Sequence, residues 1–249
     1  MVDRDRVVAV SGPGGRGSGY VIGPRVVLTS AHVVTQVGTE VTVFRPGDAA
    51  TSAGSVVWSG TAGGRDDAAL ILVEQSWQSP RSRAVRWGRL VTDRPGRRCE
   101  AWGVPERAQQ GDGFVDLAQV SGRVNPGDRR ISNRYVMAIE GHRPDVGGSP
   151  WGGLSGAAVF SGDLLLGVVM ADEADSGHTR LVLVPAYVLH HDEKFRLALA
   201  HHGVAPEGLT PVEFAELSEP ALSVPKLLPS PGWLLHPSLE VVPFRVSRL

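Results

Sequence analysis

Apolar residues along this chain come in short runs broken by glycine, proline and polar clusters. Period-two or fully apolar runs of this length predict strands. They fall at residues 6–10, 41–44, 54–58, 68–73, 97–103, 117–124, 134–140, 157–160 and 181–184. Between them, residues 11–19 (SGPGGRGSG) read as a glycine-rich loop. Residues 18–30 hold two β-rich runs broken at Gly23-Pro24, a hairpin signal. Helical periodicity appears near the end of the ordered pattern. Pro185 opens it, Tyr187, Val188, Phe195, Leu197 and Leu199 supply its apolar face, and Gly203 stops it, so one helix is expected over 187–202. Thr210-Pro-Val-Glu213 reads as a capping box opening a further short helix through Leu217.

Composition agrees with many strands joined by turns: of 249 residues, 31 are Gly and 18 Pro, while 42% are hydrophobic. A formal net charge of −1 gives no electrostatic reason to expect nucleic acid or a membrane surface as partner. No run approaches the ~18 apolar residues of a membrane span. Cys99 is the single cysteine, so no intrachain disulfide can form, and a reducing, cytoplasmic setting is expected. The charged start, Met-Val-Asp-Arg-Asp-Arg, has no apolar core of a signal peptide.

Three positions carry candidate chemistry. His32 follows a strand end in Thr29-Ser-Ala-His-Val-Val34. Asp67 adjoins the apolar run Ala68–Val73 directly, so its carboxylate enters the core and needs a hydrogen-bonding partner, whereas Asp66 suits a solvated turn. Ser155 lies in Trp151-Gly-Gly-Leu-Ser-Gly-Ala-Ala-Val-Phe160, where glycines allow a sharp turn and a close approach of backbone N–H groups. Each motif alone also fits a bland reading: a core imidazole, a turn carboxylate, a plain turn. Other patterns carry less. Gly12, Gly14 and Gly17 have dinucleotide-fingerprint spacing, but strands rather than a helix follow. Gly111–Asp116 has too few oxygen ligands for calcium. His190-His191 and His201-His202 point about 100° apart on a helix and do not converge on one ion, so a solvated face is expected and no metal or other cofactor is assigned. Cys99 reads as a buried small hydrophobe.

Taken together, these motifs resemble those of the trypsin/chymotrypsin-like serine peptidases, in that family's chain order His, Asp, Ser. Gly17-Ser-Gly-Tyr-Val-Ile before the histidine motif is similar too. The resemblance covers about residues 6–190 and leans to the bacterial, disulfide-free, intracellular branch. It implies an all-β fold of two six-stranded antiparallel β-barrels, at about 6–90 and 91–186, within a peptidase domain spanning 1–203. It further implies a C-terminal helix and peptide-bond hydrolysis by a His32–Asp67–Ser155 triad, with the N–H groups of Gly153 and Ser155 as oxyanion hole. Ala157 and Ala158 stand where the family usually has Gly-Pro.

By the same resemblance the first-site pocket involves Ser149, six residues before Ser155, and the segment Val169, Met170, Ala171 and Asp172. Serine at 149 argues against the usual basic specificity, and a medium apolar side chain is preferred, although Asp172 at the rim would favour a basic one. From 218 onward prolines exclude a regular helix, yet the segment is too apolar for a free linker. Residues 204–249 are therefore expected to form a short helix and an extended tail that docks on the body, binds a regulatory protein, or leads to an attached sensor domain of a signalling or defence protein. The substrate expected is a protein or peptide. A catalytically silent binding module and an esterase remain open on the same fold.

Overall fold

The computed structural model describes residues 2–47, 51–77, 84–106, 115–141, 149–205 and 208–213. Six strands close the first barrel: β1 (Val7–Gly12), β2 (Gly15–Val21), β3 (Val26–Thr29), β4 (Glu40–Phe44), β5 (Thr51–Ser59) and β6 (Ala69–Val73), in the spatial order β1-β2-β3-β6-β5-β4. A single helical turn, α1 (Ala31–Val34), follows β3.

The second sheet contains β7 (Arg86–Arg89), β8 (Arg97–Gly103), β9 (Ala118–Val124), β10 (Tyr135–Ile139), β11 (Ala158–Ser161), β12 (Leu164–Asp172), β13 (Arg180–Pro185) and β14 (Thr210–Pro211). Its order is β11-β8-β9-β10-β13-β12-β7-β14, and β11 also pairs with β12. That extra pairing closes six antiparallel strands into the second barrel. The remaining two, β7 and β14, extend it through parallel pairings. The all-β, two-barrel expectation is met.

Period-two alternation explains why so many runs are continuously apolar. Along β1, Val8 and Val10 fill the first barrel, while Val7 and Ala9 face a second cluster. β3 divides in the same way, with Val27 inward and Val26 and Leu28 outward. The outward cluster also takes Leu165 and Val168 of β12 and Phe160 of β11, so it is the core between the two barrels. Tyr20 and Phe160 meet there edge-on, ring centroids 5.1 Å apart. With both faces buried, neither needs polar residues. Each fully buried Leu, Ile or Phe contributes roughly 1.5–3 kcal/mol. This interface therefore holds the facing loops of the barrels at a fixed distance.

Three expectations change. The glycine-rich stretch 11–19 is a β1–β2 hairpin, with Gly12 opposite Gly15, rather than a loop. Its glycines are required because His32 and Val33 carbonyls press on it: a Cβ at Gly14 would lie 1.8 Å from the His32 carbonyl oxygen. The C-terminal helix is present in two pieces, α2 (Ala186–His191) and α3 (Glu193–His201). Asp192 breaks it, accepting from Lys194 N at 2.8 Å as N-cap and from Trp58 Nε1 at 3.2 Å. Past Thr210, Val212 and Glu213 are helical and residues 214–217 of the expected short helix lie outside the described residues, but among the described residues the capping box does not close. Thr210 and Pro211 pair with β7, and the Glu213 carboxylate accepts instead from the amides of Val91 and Thr92. The proline-rich segment from 218 and most of the acidic stretch at 111–116 lie outside the described residues.

Candidate active site

Asp67 and His32 are joined twice. The buried Asp67 carboxylate is 1% exposed. Its Oδ2 accepts from His32 Nδ1 at 2.8 Å, and its Oδ1 accepts from the His32 amide at 2.9 Å. Gly63 N–H donates to Oδ2 as well, at 2.9 Å. Burial by itself pushes the Asp67 carboxyl up; the hydrogen bonds from the His32 ring and amide and from Gly63 outweigh it and hold Asp67 below the usual carboxylate range. The sequence puts these groups together simply. His32 heads the turn after β3, Asp67 immediately precedes β6, and β3 and β6 are antiparallel neighbours with Thr29 opposite Ala69.

Ser155 arrives from the second barrel, on the turn before β11. Its neighbours Gly153 (φ +80°) and Gly156 (φ +87°) both occupy the left-handed region. Space forbids a side chain at Gly156, where a Cβ would meet Ser18 O at 2.1 Å and Thr29 Oγ1 at 2.4 Å. Among the described residues, neither the Gly153 nor the Ser155 amide donates a hydrogen bond. The Ser155 hydroxyl donates a long bond, 3.5 Å, to the Met170 carbonyl.

The barrels are stitched beside this turn by groups the motifs did not reveal. Ser18, fully buried on β2, donates its amide to Ser155 O at 2.7 Å and its hydroxyl to Gly153 O at 2.8 Å. The same hydroxyl accepts from Val104 N at 2.8 Å. Ser30, two residues before His32, donates to Val169 O at 2.8 Å, and Gly156 N donates to that same carbonyl at 2.8 Å. Thus the segments carrying His32 and Ser155 share one acceptor. Two buried serines inside strand and strand-end patterns were the available signal, since a buried hydroxyl must find partners.

Of the predicted pocket residues, Asp172 and Ser149 are bonded, Ser149 Oγ donating to Asp172 Oδ2 at 2.9 Å. His178, which the sequence reading did not single out, hydrogen-bonds the same Asp172 oxygen through Nδ1. Trp151 closes the network, its amide donating to Ser149 Oγ at 3.1 Å and its indole to His178 O at 2.8 Å. Met170 and Ala171 are half-buried, whereas the Val169 side chain belongs to the second barrel's core and contributes its carbonyl.

Elsewhere, Cys99 is buried within the second barrel and its thiol is pushed up to about 12 by desolvation. His190 departs from the solvated face expected of it: it packs edge-on against Trp87, centroids 4.6 Å apart, with Nε2 buried and, among the described residues, without a hydrogen-bond partner. Among the described residues no group of three His, Cys, Asp or Glu could hold a metal, and no helix is long and apolar enough to cross a membrane.

Residues 17–168 match the family model described as a trypsin-like peptidase domain. No curated protein matches the chain. Among solved structures, it is similar to a Glu endopeptidase in complex with MPD, at 18% identity and TM-score 0.58, over 81% of this chain and 91% of that one. The Rv3671c protease of M. tuberculosis, inactive form, is 20% identical with TM-score 0.52, over 80% and 90%. A scabies mite inactivated protease paralogue is 14% identical with TM-score 0.56, over 81% and 94%. At such identities these likenesses show the fold, which active and inactivated members share. The family match extends over more than half of the chain and includes His32, Asp67 and Ser155: the chain belongs to the trypsin-like peptidase family.

Proposed function

We propose that the protein is a serine endopeptidase that cleaves peptide bonds through His32, Asp67 and Ser155 and an acyl-enzyme. The observation that carries this reading is the double bond pattern between His32 and the buried Asp67. A carboxylate taken out of water is costly, and here its oxygens fix both the ring and the backbone of one histidine. Nδ1–H is thereby held toward Asp67, which leaves Nε2 as the basic nitrogen.

In the proposed reaction the Ser155 hydroxyl leaves the Met170 carbonyl and turns toward His32. Nε2 takes the Oγ proton as Oγ bonds to the scissile carbonyl carbon. The resulting oxyanion accepts from the Gly153 and Ser155 amides, whose loop is held by Ser18. The imidazolium, stabilised by Asp67, returns the proton to the leaving amine; water then enters by the reverse sequence and frees the acid. Substrates are proteins or peptides. For the first-site residue, Asp172 is already engaged by Ser149 and His178, which supports an uncharged side chain over a basic one. The single buried cysteine supports a cytoplasmic setting, and the segment beyond 204 is the proposed regulatory contact.

Cleavage of a peptide library, read by mass spectrometry beside Ser155→Ala, tests this. Internal cuts lost in the variant are expected. Hydrolysis of esters without any peptide cleavage would replace the reading with an esterase, and binding without either reaction would replace it with a silent module.

A further inference from the structure

The turn that carries Asp67 is gripped from the other barrel. Arg134 immediately precedes β10 and is 8% exposed. It reaches across to the first barrel, where Nη1 donates to the Arg65 carbonyl and Nη2 to the Gly64 carbonyl. The Gly64 carbonyl also accepts from the Asp67 amide at 3.3 Å, and Gly63 next to it, at φ +69°, supplies the amide bonded to Asp67 Oδ2. One guanidinium therefore fixes the peptide units that shape the Asp67 environment, using the fork geometry only arginine offers.

We propose that Arg134 is a positioning residue for the His32–Asp67 pair, clamping the 63–66 turn onto Asp67 and placing a positive charge beside the turn that holds the carboxylate. The inference rests on the proposed peptidase reading for its purpose, though the structural arrangement stands without it.

The charge consequence is definite in sign. Among the described residues, Asp67 and Asp66 attract Arg134 and Arg129 repels it. His32 is hydrogen-bonded to the same Asp67 carboxylate. A cation there offsets part of the carboxylate's field at the imidazole. Removing it strengthens the hold of Asp67 on the protonated ring, so His32 should take up a proton at higher pH.

The test is an NMR titration of the His32 Cε1–H resonance in the full chain, wild type against Arg134→Met, with Arg134→Lys as the charge-retaining variant. The expected result is a midpoint raised by about half a pH unit in Arg134→Met and a midpoint near wild type in Arg134→Lys. Lys, lacking the fork, should still label more slowly with a fluorophosphonate probe, because the Gly63 amide loosens. Should Arg134→Met not fold, Arg134→Gln, neutral but able to donate to one carbonyl, carries the same expectation. An unmoved midpoint in a folded neutral variant overturns the proposal. So does an equal shift in Arg134→Lys, which would mean plain structural loosening. Labelling of wild-type Ser155 on the same samples separates the two readings: label without a shift sinks the role of Arg134 alone, and a shift without label sustains that role while the peptidase reading falls.

Discussion

The amide of Ser18 donates to the carbonyl of Ser155 at 2.7 Å, joining the second strand of one barrel to the nucleophile turn of the other. The Ser18 hydroxyl then bridges Gly153 O and Val104 N. Ser18→Ala removes that bridge and leaves a buried carbonyl and amide unpaired. We expect a loss of about 1–3 kcal/mol in stability by denaturant titration. Fluorophosphonate labelling should slow by about tenfold, because a loosened Gly153 misplaces one oxyanion donor. Lost stability with an unchanged labelling rate would show that Ser18 is merely structural.

Gly156 and Gly162 form a matched pair for backbone strain. Both have positive φ, at +87° and +62°, but a Cβ at Gly156 collides with Ser18 O while one at Gly162 meets nothing within 4 Å. Gly162→Ala should cost about 1 kcal/mol in thermal unfolding, the left-handed penalty alone. Gly156→Ala adds overpacking of about 1–3 kcal/mol and displaces Ser155. Equal melting temperatures for the two would contradict the close packing at the nucleophile.

His178 is expected to control charge preference at the first site. In His178→Ala the Asp172 carboxylate keeps Ser149 but loses the imidazole. Arginine and lysine at the first site should then gain about tenfold relative to neutral residues in kcat/KM, the scale of one charge contact. An unaltered profile would place His178 outside substrate recognition.

Acid should destabilise the protein in two stages. Burial lowers the His190 pKa to about 4 from the ordinary 6.5, so the folded state holds the ring neutral while the unfolded chain takes up a proton. This stability is complete above about pH 7 and is lost as pH falls from 6.5 toward 4, in all about 2–3 kcal/mol. Asp67, held below its ordinary value of 3.8, contributes stability present above that value and lost as pH falls below it. Chemical denaturation of His190→Leu at pH 7 and pH 4.5 checks the first stage. The variant should lose the slope between those values, and retention of the full slope would assign it elsewhere.

Much of this arrangement was legible in the chain because it depends on period-two burial and on local motifs. Runs such as Val26–Thr29 and Ala69–Val73 announce strands buried on both faces, and Asp67 beside such a run announces a carboxylate that needs a partner. His32 follows from the same logic, since it comes just after the strand paired with that run. What stayed hidden is what distance in sequence hides. Ser18, Arg134 and His178 act through carbonyls or side chains up to 137 residues away, and no spacing rule connects Ser18 with Ser155. The glycine-rich hairpin reads as a loop in the sequence because small residues signal one, whereas here they admit the His32 and Ser155 backbones. The helix break at Asp192 needed Trp58 from the other barrel to stabilise it. Likewise Glu213 preferred two amides of the β7–β8 connection to its own capping box.

The most direct measurement is intact-mass analysis after treatment with a fluorophosphonate, beside Ser155→Ala and His32→Ala. Phosphonylation needs a nucleophile, a base and an oxyanion pocket, and it needs no knowledge of the substrate. A single adduct is expected, mapped to Ser155, absent in Ser155→Ala and formed at least about a thousandfold more slowly in His32→Ala. No adduct on wild-type Ser155, or one that forms equally fast without His32, would contradict the proposed triad.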